Sequence, residues 1–191
     1  NLGSESVQTL YETGIRTSIR NQYAYRAAFA EQGYSEFKQA LPDNWSTLAS
    51  DETINAYING TSLPLDYVDP ATSGYNSVNE NDLSVKWNDA ATDEEKLQRI
   101  ITQKWIALFP LSNEAWAEYR RTGYPKLFLV KQNESNGVVS TEDGPRRLPY
   151  NENELNSNTE AVNAAIGMLN AEATGGTSGD NAGTRLWWDQ A

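Results

Sequence analysis

The stretch Thr92–Pro125, TDEEKLQRIITQKWIALFPLSNEAWAEYRRTGYP, most restricts what this chain can become. It opens on Thr92-Asp93-Glu94-Glu95, where the Thr92 hydroxyl can accept from the Glu95 amide while the Glu95 side chain reaches back to the Thr92 amide. Leu97, Ile100, Ile101, Trp105 and Leu108 follow at helical spacing and form one apolar face. Pro110 lacks the amide that would continue the helix. A second helix follows, capped by Ser112 or Asn113, with Glu114 at its electropositive start and Gly123 and Pro125 as its terminator. The chain is thereby committed to two helices that meet at Phe109-Pro110.

Elsewhere the pattern is less regular. Val7, Leu10, Tyr11, Gly14, Ile15, Ser18, Ile19 and Gln22 place an apolar stripe on a helix of about five turns, which requires a partner. Residues 26–41 read as two short helical pieces or a helix and a loop around Gly33. Asp51–Asn59 is a short helix with Asp51 as its cap and Gly60 as its stop. From Gly60 to Ala91 no period is sustained, and so long an irregular segment inside a compact domain is functional or disordered; Tyr67, Tyr75 and Trp87 within it argue for order. Leu127–Val130 and Val138-Val139, joined through Asn136-Gly137, suggest a small hairpin. The segment GPRRLPYNENELN reads as extended, because each proline pushes its predecessor out of the helical region. Asn158 caps a last helix, and the glycine-rich Gly175–Gly183 segment reads as a loop without the pattern of a phosphate-binding turn.

Composition narrows the chemistry. The chain has 191 residues, enough for one domain or part of a larger one. It carries no His and no Cys, which removes the commonest general base, thiol catalysis and thiolate metal sites. Its net charge of −11 repels polyanions, so nucleic acid is excluded as a partner. Asp66/Asp69 and Glu152/Glu154 lack the spacing of a calcium loop and read as solvated faces, so neither a metal nor a cofactor is expected. A glycosidase that uses two carboxylates needs no histidine, yet 26 acidic residues nominate no pair.

The candidate binding residues are aromatic. Trp45, Tyr67, Tyr75 and Trp87 fall outside any stripe, where a ring could be presented to a sugar face; the alternative for each is burial. Trp105 and Trp116 lie on stripes and are expected in the core. Arg120-Arg121 and Arg146-Arg147 either capture an anion or clamp the irregular C-terminal half onto the helices by pairing with carboxylates and carbonyls. The clamp is favoured, because long loops need their backbone acceptors satisfied. Trp116, Tyr119, Arg120 and Arg121 would then act together as scaffold.

Four blocks carry a resemblance: YETGIRTSI at Tyr11–Ile19, ITQKWIALFPLSNEAWAEYRRTGYPKL at Ile101–Leu127, PRRLPYNENELNSN at Pro145–Asn158 and GDNAGTRLWWD at Gly179–Asp189. In this order they resemble the SusD/RagB family, and within it the SusD-like starch-binding-associated outer-membrane lipoproteins. The resemblance implies an all-α, SusD-like helical scaffold with long irregular loops and at most a small β-hairpin. It implies a non-catalytic glycan- or nutrient-binding lipoprotein on the extracellular face of the outer membrane, acting as the lid of a SusC-like TonB-dependent transporter. Residues 1–191 would be the C-terminal portion of a single such domain, whose helical-repeat part and lipid anchor lie upstream. A lid for peptide or other non-sugar cargo, and a carboxylate-dependent glycosidase, are the alternatives.

Overall fold

A computed structural model describes residues 5–33, 42–71, 73–142, 144–172 and 179–189. Their regular structure is helical. In chain order the α-helices are α1 (Val7–Glu31), α2 (Trp45–Leu48), α3 (Asp51–Ile58), α4 (Asp93–Ala107), α5 (Ser112–Thr122), α6 (Glu152–Ser157) and α7 (Thr159–Glu172), with one 3-10 turn at Ser73–Tyr75. No sheet forms among them, only the isolated antiparallel bridges Tyr67–Ser77 and Ser140–Gly144. The chain divides into two compact units, Asn1–Pro64 with Asn81–Ala115, and Leu65–Glu80 with Trp116–Ala191.

The first unit is built on α1, α3 and α4. Ser6 caps α1 by accepting from the Thr9 amide. The helix runs 25 residues rather than about five turns, taking in the alanine-rich stretch up to Glu31, since no breaker intervenes before Gly33 at φ 92°. The remainder of the 26–41 reading, residues 34–41, lies outside the described residues. Ser50, not Asp51, caps α3, because its hydroxyl reaches the Thr53 amide while Asp51 stands within the first turn. A Cβ on Gly60 would come within 2.9 Å of the Tyr57 carbonyl, so the exit from α3 requires glycine. The capping box at Thr92 forms in full, and hydrogen bonds from Thr92 hold the Glu95 carboxyl below its ordinary range.

The core of this unit is Tyr11 and Ile15 of α1, Ile54 and Ile58 of α3, and Trp87. Trp87, expected among the candidate sugar platforms, is 7% exposed. Its ring lies 5.2 Å from that of Tyr11 and its indole N–H donates to Asp89. The irregular segment that carries it is pinned by helix side chains: Gln98 donates to Asn81, Arg99 to the Ser84 carbonyl, and Tyr11 to the Val85 carbonyl. Burial raises the Tyr11 hydroxyl well above the usual tyrosine value and also raises that of Tyr57. Trp105, expected in the core, is half-buried on α4.

In the second unit α5 ends at Gly123, which takes φ 70° where a side chain would be strained. The hairpin expected over Leu127–Val139 does not form. Asn136 and Gly137 make the tight turn, with φ 53° and 86°, but Val138 accepts from the Ala182 amide instead of pairing with Leu127–Val130. Helix α6 replaces part of the stretch read as extended. Proline restrains only Gly144 and Leu148, the residues preceding it, and Asn151 caps the new helix through the Asn153 amide. Helix α7 begins at Thr159, directly after Asn158 as expected, and the Asn158 carbonyl accepts from Val162.

Candidate ligand-binding surface

Within the second unit, residues 65–80 double back on themselves. Tyr67 and Ser77 exchange both backbone hydrogen bonds at 2.9 Å. Asp66 accepts from the Asn79 amide at 2.8 Å, Asn79 donates to the Leu65 carbonyl, and Asn76 accepts from the Asp69 amide at 2.9 Å. Asp69 also accepts from the Ala71 amide and from the Tyr67 hydroxyl at 2.8 Å. That hydrogen bond, with the negative charge behind it, raises the hydroxyl's pKa. Asp66 and Asp69 are thus occupied in holding the loop.

This locked loop presents two rings. Tyr67 is 44% and Tyr75 42% exposed. Each meets the segment after α5: the Tyr67 ring lies 6.2 Å from that of Phe128, itself 46% exposed, and the Tyr75 hydroxyl donates to Gln132 at 2.7 Å. The Tyr67 and Phe128 rings therefore adjoin, and Tyr75 of the same loop is tied to Gln132, whose side-chain N–H in turn donates to Glu134. Phe128 and Gln132 were hidden in the sequence by the LFLV run, which reads as a strand. Trp45 heads α2 in the first unit, half-buried. Of the four aromatic candidates, the structure brings together Tyr67 and Tyr75.

The arginine pairs are spent internally. The Arg120 guanidinium lies over the Trp116 ring at 3.7 Å and the Trp188 ring at 4.6 Å and donates to the Arg146 carbonyl at 2.6 Å. Burial lowers its pKa. Trp116, half-buried rather than in the core, donates its indole N–H to the Pro145 carbonyl. Arg146 lies 5.4 Å over Tyr119 and pairs with the fully buried Asp189 at 3.0 Å. Arg147 pairs with Asp180 at 2.6 Å, and the amides of Arg146 and Arg147 both donate to the Ala182 carbonyl. Arg121 departs from expectation: it is exposed and pairs with Glu118, one turn back on its own helix, rather than with the extended segments. A long solvated side chain at a helix end finds its nearest carboxylate at i−3.

The family model described as SusD-like, Susd and RagB outer membrane lipoprotein, matches residues 45–189. The chain belongs to the SusD-like family. A SusD homolog from Bacteroides thetaiotaomicron VPI-5482 is 38% identical, with a TM-score of 0.74 over 98% of this chain and 34% of that one. A SusD homolog from Bacteroides ovatus ATCC 8483 is 32% identical, with a TM-score of 0.75 over 98% and 33%. A chitin-binding SusD homolog from Flavobacterium johnsoniae is 39% identical, with a TM-score of 0.69 over 98% and 32%. No curated protein matches. This SusD-like chain spans about a third of the length of these solved relatives.

Proposed function

We propose that the chain is the C-terminal portion of a non-catalytic glycan-binding lipoprotein of the outer membrane, exposed on the cell surface as the lid of a SusC-like TonB-dependent transporter. Family membership supports the class and the location. One observation carries the site: Tyr67 and Tyr75 stand exposed on a loop whose backbone is locked by its own hydrogen bonds, with the exposed Phe128 ring of the segment after α5 set against Tyr67. Rings held in place stack on the apolar face of a pyranose at little cost in ordering, while neighbouring amides pair with its hydroxyls. The two nearest carboxylates of the loop hold backbone and tyrosine hydroxyl, which suits capture rather than the paired acid and base of a glycosidase.

The test is native affinity electrophoresis and calorimetry against a panel of neutral polysaccharides, beginning with chitin oligosaccharides because a relative that is 39% identical is chitin-binding. Tyr67→Ala and Phe128→Ala should each weaken binding about tenfold, which corresponds to about 1.4 kcal/mol, and Trp45→Ala should leave it unchanged. Loss of binding in Trp45→Ala, with Tyr67→Ala binding normally, would move the site to the first unit. A second reading rests on the aliphatic residues around the rings, Leu65, Val68, Leu129 and Val130, all exposed, which suit peptide or other apolar cargo. Failure of every glycan with a folded sample that still joins its transporter would select it.

A further inference from the structure

The dipeptide Asn-Gly occurs twice, at Asn59-Gly60 and Asn136-Gly137. It is chemically fragile: asparagine is thermolabile, and a following glycine has no side chain to keep its amide nitrogen from closing a five-membered ring on the side-chain carbonyl carbon. The fold treats the two pairs differently. At the end of α3 the Asn59 side-chain amide donates to the Asn55 carbonyl at 2.9 Å, and the Gly60 amide donates to the Tyr57 carbonyl at 3.0 Å. Nucleophile and electrophile are both held by other partners. Asn136 and Gly137 are exposed. Their φ values of 53° and 86° make them the central residues of a type I′ turn, closed around them by the Val138 amide on the Ser135 carbonyl at 3.2 Å. Among the described residues, no hydrogen bond engages the Gly137 amide or the Asn136 side chain.

We propose that Asn136 is a site of spontaneous covalent modification in the folded protein, and that Asn59 is protected from it. The Gly137 amide gives its proton to solvent base and its nitrogen attacks Cγ of Asn136. The new C–N bond closes an imide, and the side-chain nitrogen leaves as ammonia with a proton from water. Water then adds to one of the two imide carbonyls and breaks the C–N bond there, which leaves aspartate or isoaspartate. Water is the only co-reactant, and nothing is oxidised or reduced. The position gives the change a consequence: the Gly137 carbonyl accepts from the Asn181 side chain at 3.2 Å and the Val138 carbonyl from the Ala182 amide at 3.1 Å, while the Ala182 carbonyl receives the amides of Arg146 and Arg147. Isoaspartate puts a further carbon into the main chain of the turn on which these bonds depend. The anchor of residues 179–184 therefore loosens as the protein ages.

The full polypeptide is incubated folded and, separately, unfolded in urea, both in mildly alkaline buffer, and conversion at each Asn-Gly is followed by peptide mass spectrometry with fragmentation that distinguishes isoaspartate. Dividing each folded rate by the rate of the same site in the unfolded chain removes the effect of neighbouring residues. That ratio should be at least tenfold higher for Asn136 than for Asn59. Equal ratios, or an Asn136 that stays unconverted in the folded protein, would overturn the inference. Amide exchange at Ala182 should be faster in the aged fraction that carries isoaspartate, and unchanged in Asn136→Asp, which adds the charge without the extra carbon. Exchange that is the same in both would refute the loosening of the anchor.

Discussion

Trp87 shows how far a single residue's role depends on what closes over it. By sequence it sits among Asn, Asp and Ser outside any periodic stripe, the setting in which an indole is offered to a ligand. In the fold its ring packs against Tyr11 and its N–H is satisfied by Asp89, two residues along, so it anchors the irregular segment to α1. Truncating a buried aromatic leaves a cavity. Trp87→Ala should therefore destabilise the chain by about 3–5 kcal/mol, while glycan affinity of the molecules that remain folded is unchanged; thermal melts beside calorimetry would measure both. Tyr67 and Tyr75 come from the same composition but remain exposed, because backbone pairing and Asp–amide bonds, rather than packing, hold their loop. Nothing in the local sequence separates the two outcomes, since both segments are rich in Asn, Asp and aromatics.

At the scale of elements, the ends of helices were more legible than their lengths. The Thr92–Glu95 box, the stop at Gly60 and the terminator at Gly123 are local chemistry and appear as written. The cap bonds favour the ionised Glu95 in the folded state, so its folded pKa lies below its unfolded one. The stabilisation they contribute is accordingly complete above the unfolded pKa and is lost as pH falls through the folded one. Amide exchange in the first turn of α4 should accelerate as pH drops below the ordinary carboxylate range, after correction for intrinsic rates, and Glu95→Gln should remove that dependence. Where the reading failed, a competing partner had won. The hairpin needs Val138 to pair with Leu127–Val130, and Ala182, far along the chain, takes its carbonyl instead. In α1, the alanine-rich stretch continues a helix that looked broken because its apolar stripe ends before its propensity does.

At the scale of the whole molecule, the C-terminal end is closed by charge rather than by a large apolar core. Arg146 and Arg185 share the buried Asp189, and Arg147 holds Asp180. Desolvation raises the Asp189 carboxyl against the opposing pull of Arg146, Arg185 and Arg120. Removing one partner of a buried ion pair strands the other, so Asp189→Asn should destabilise the fold by about 3–5 kcal/mol. Arg121→Ala breaks an exposed pair on one helix and should cost about 0–1 kcal/mol; comparable losses in chemical denaturation would refute this division of labour. The helical class, the caps and breakers, the family and the exclusion of thiol and imidazole chemistry were all readable from the residues, because each of these rests on residue type or on spacing within a few turns. Which aromatics are buried, which arginines are paired and with what, and that Phe128 meets Tyr67 emerge from the fold alone. Each of those depends on contacts between segments tens of residues apart, whose meeting no local spacing encodes.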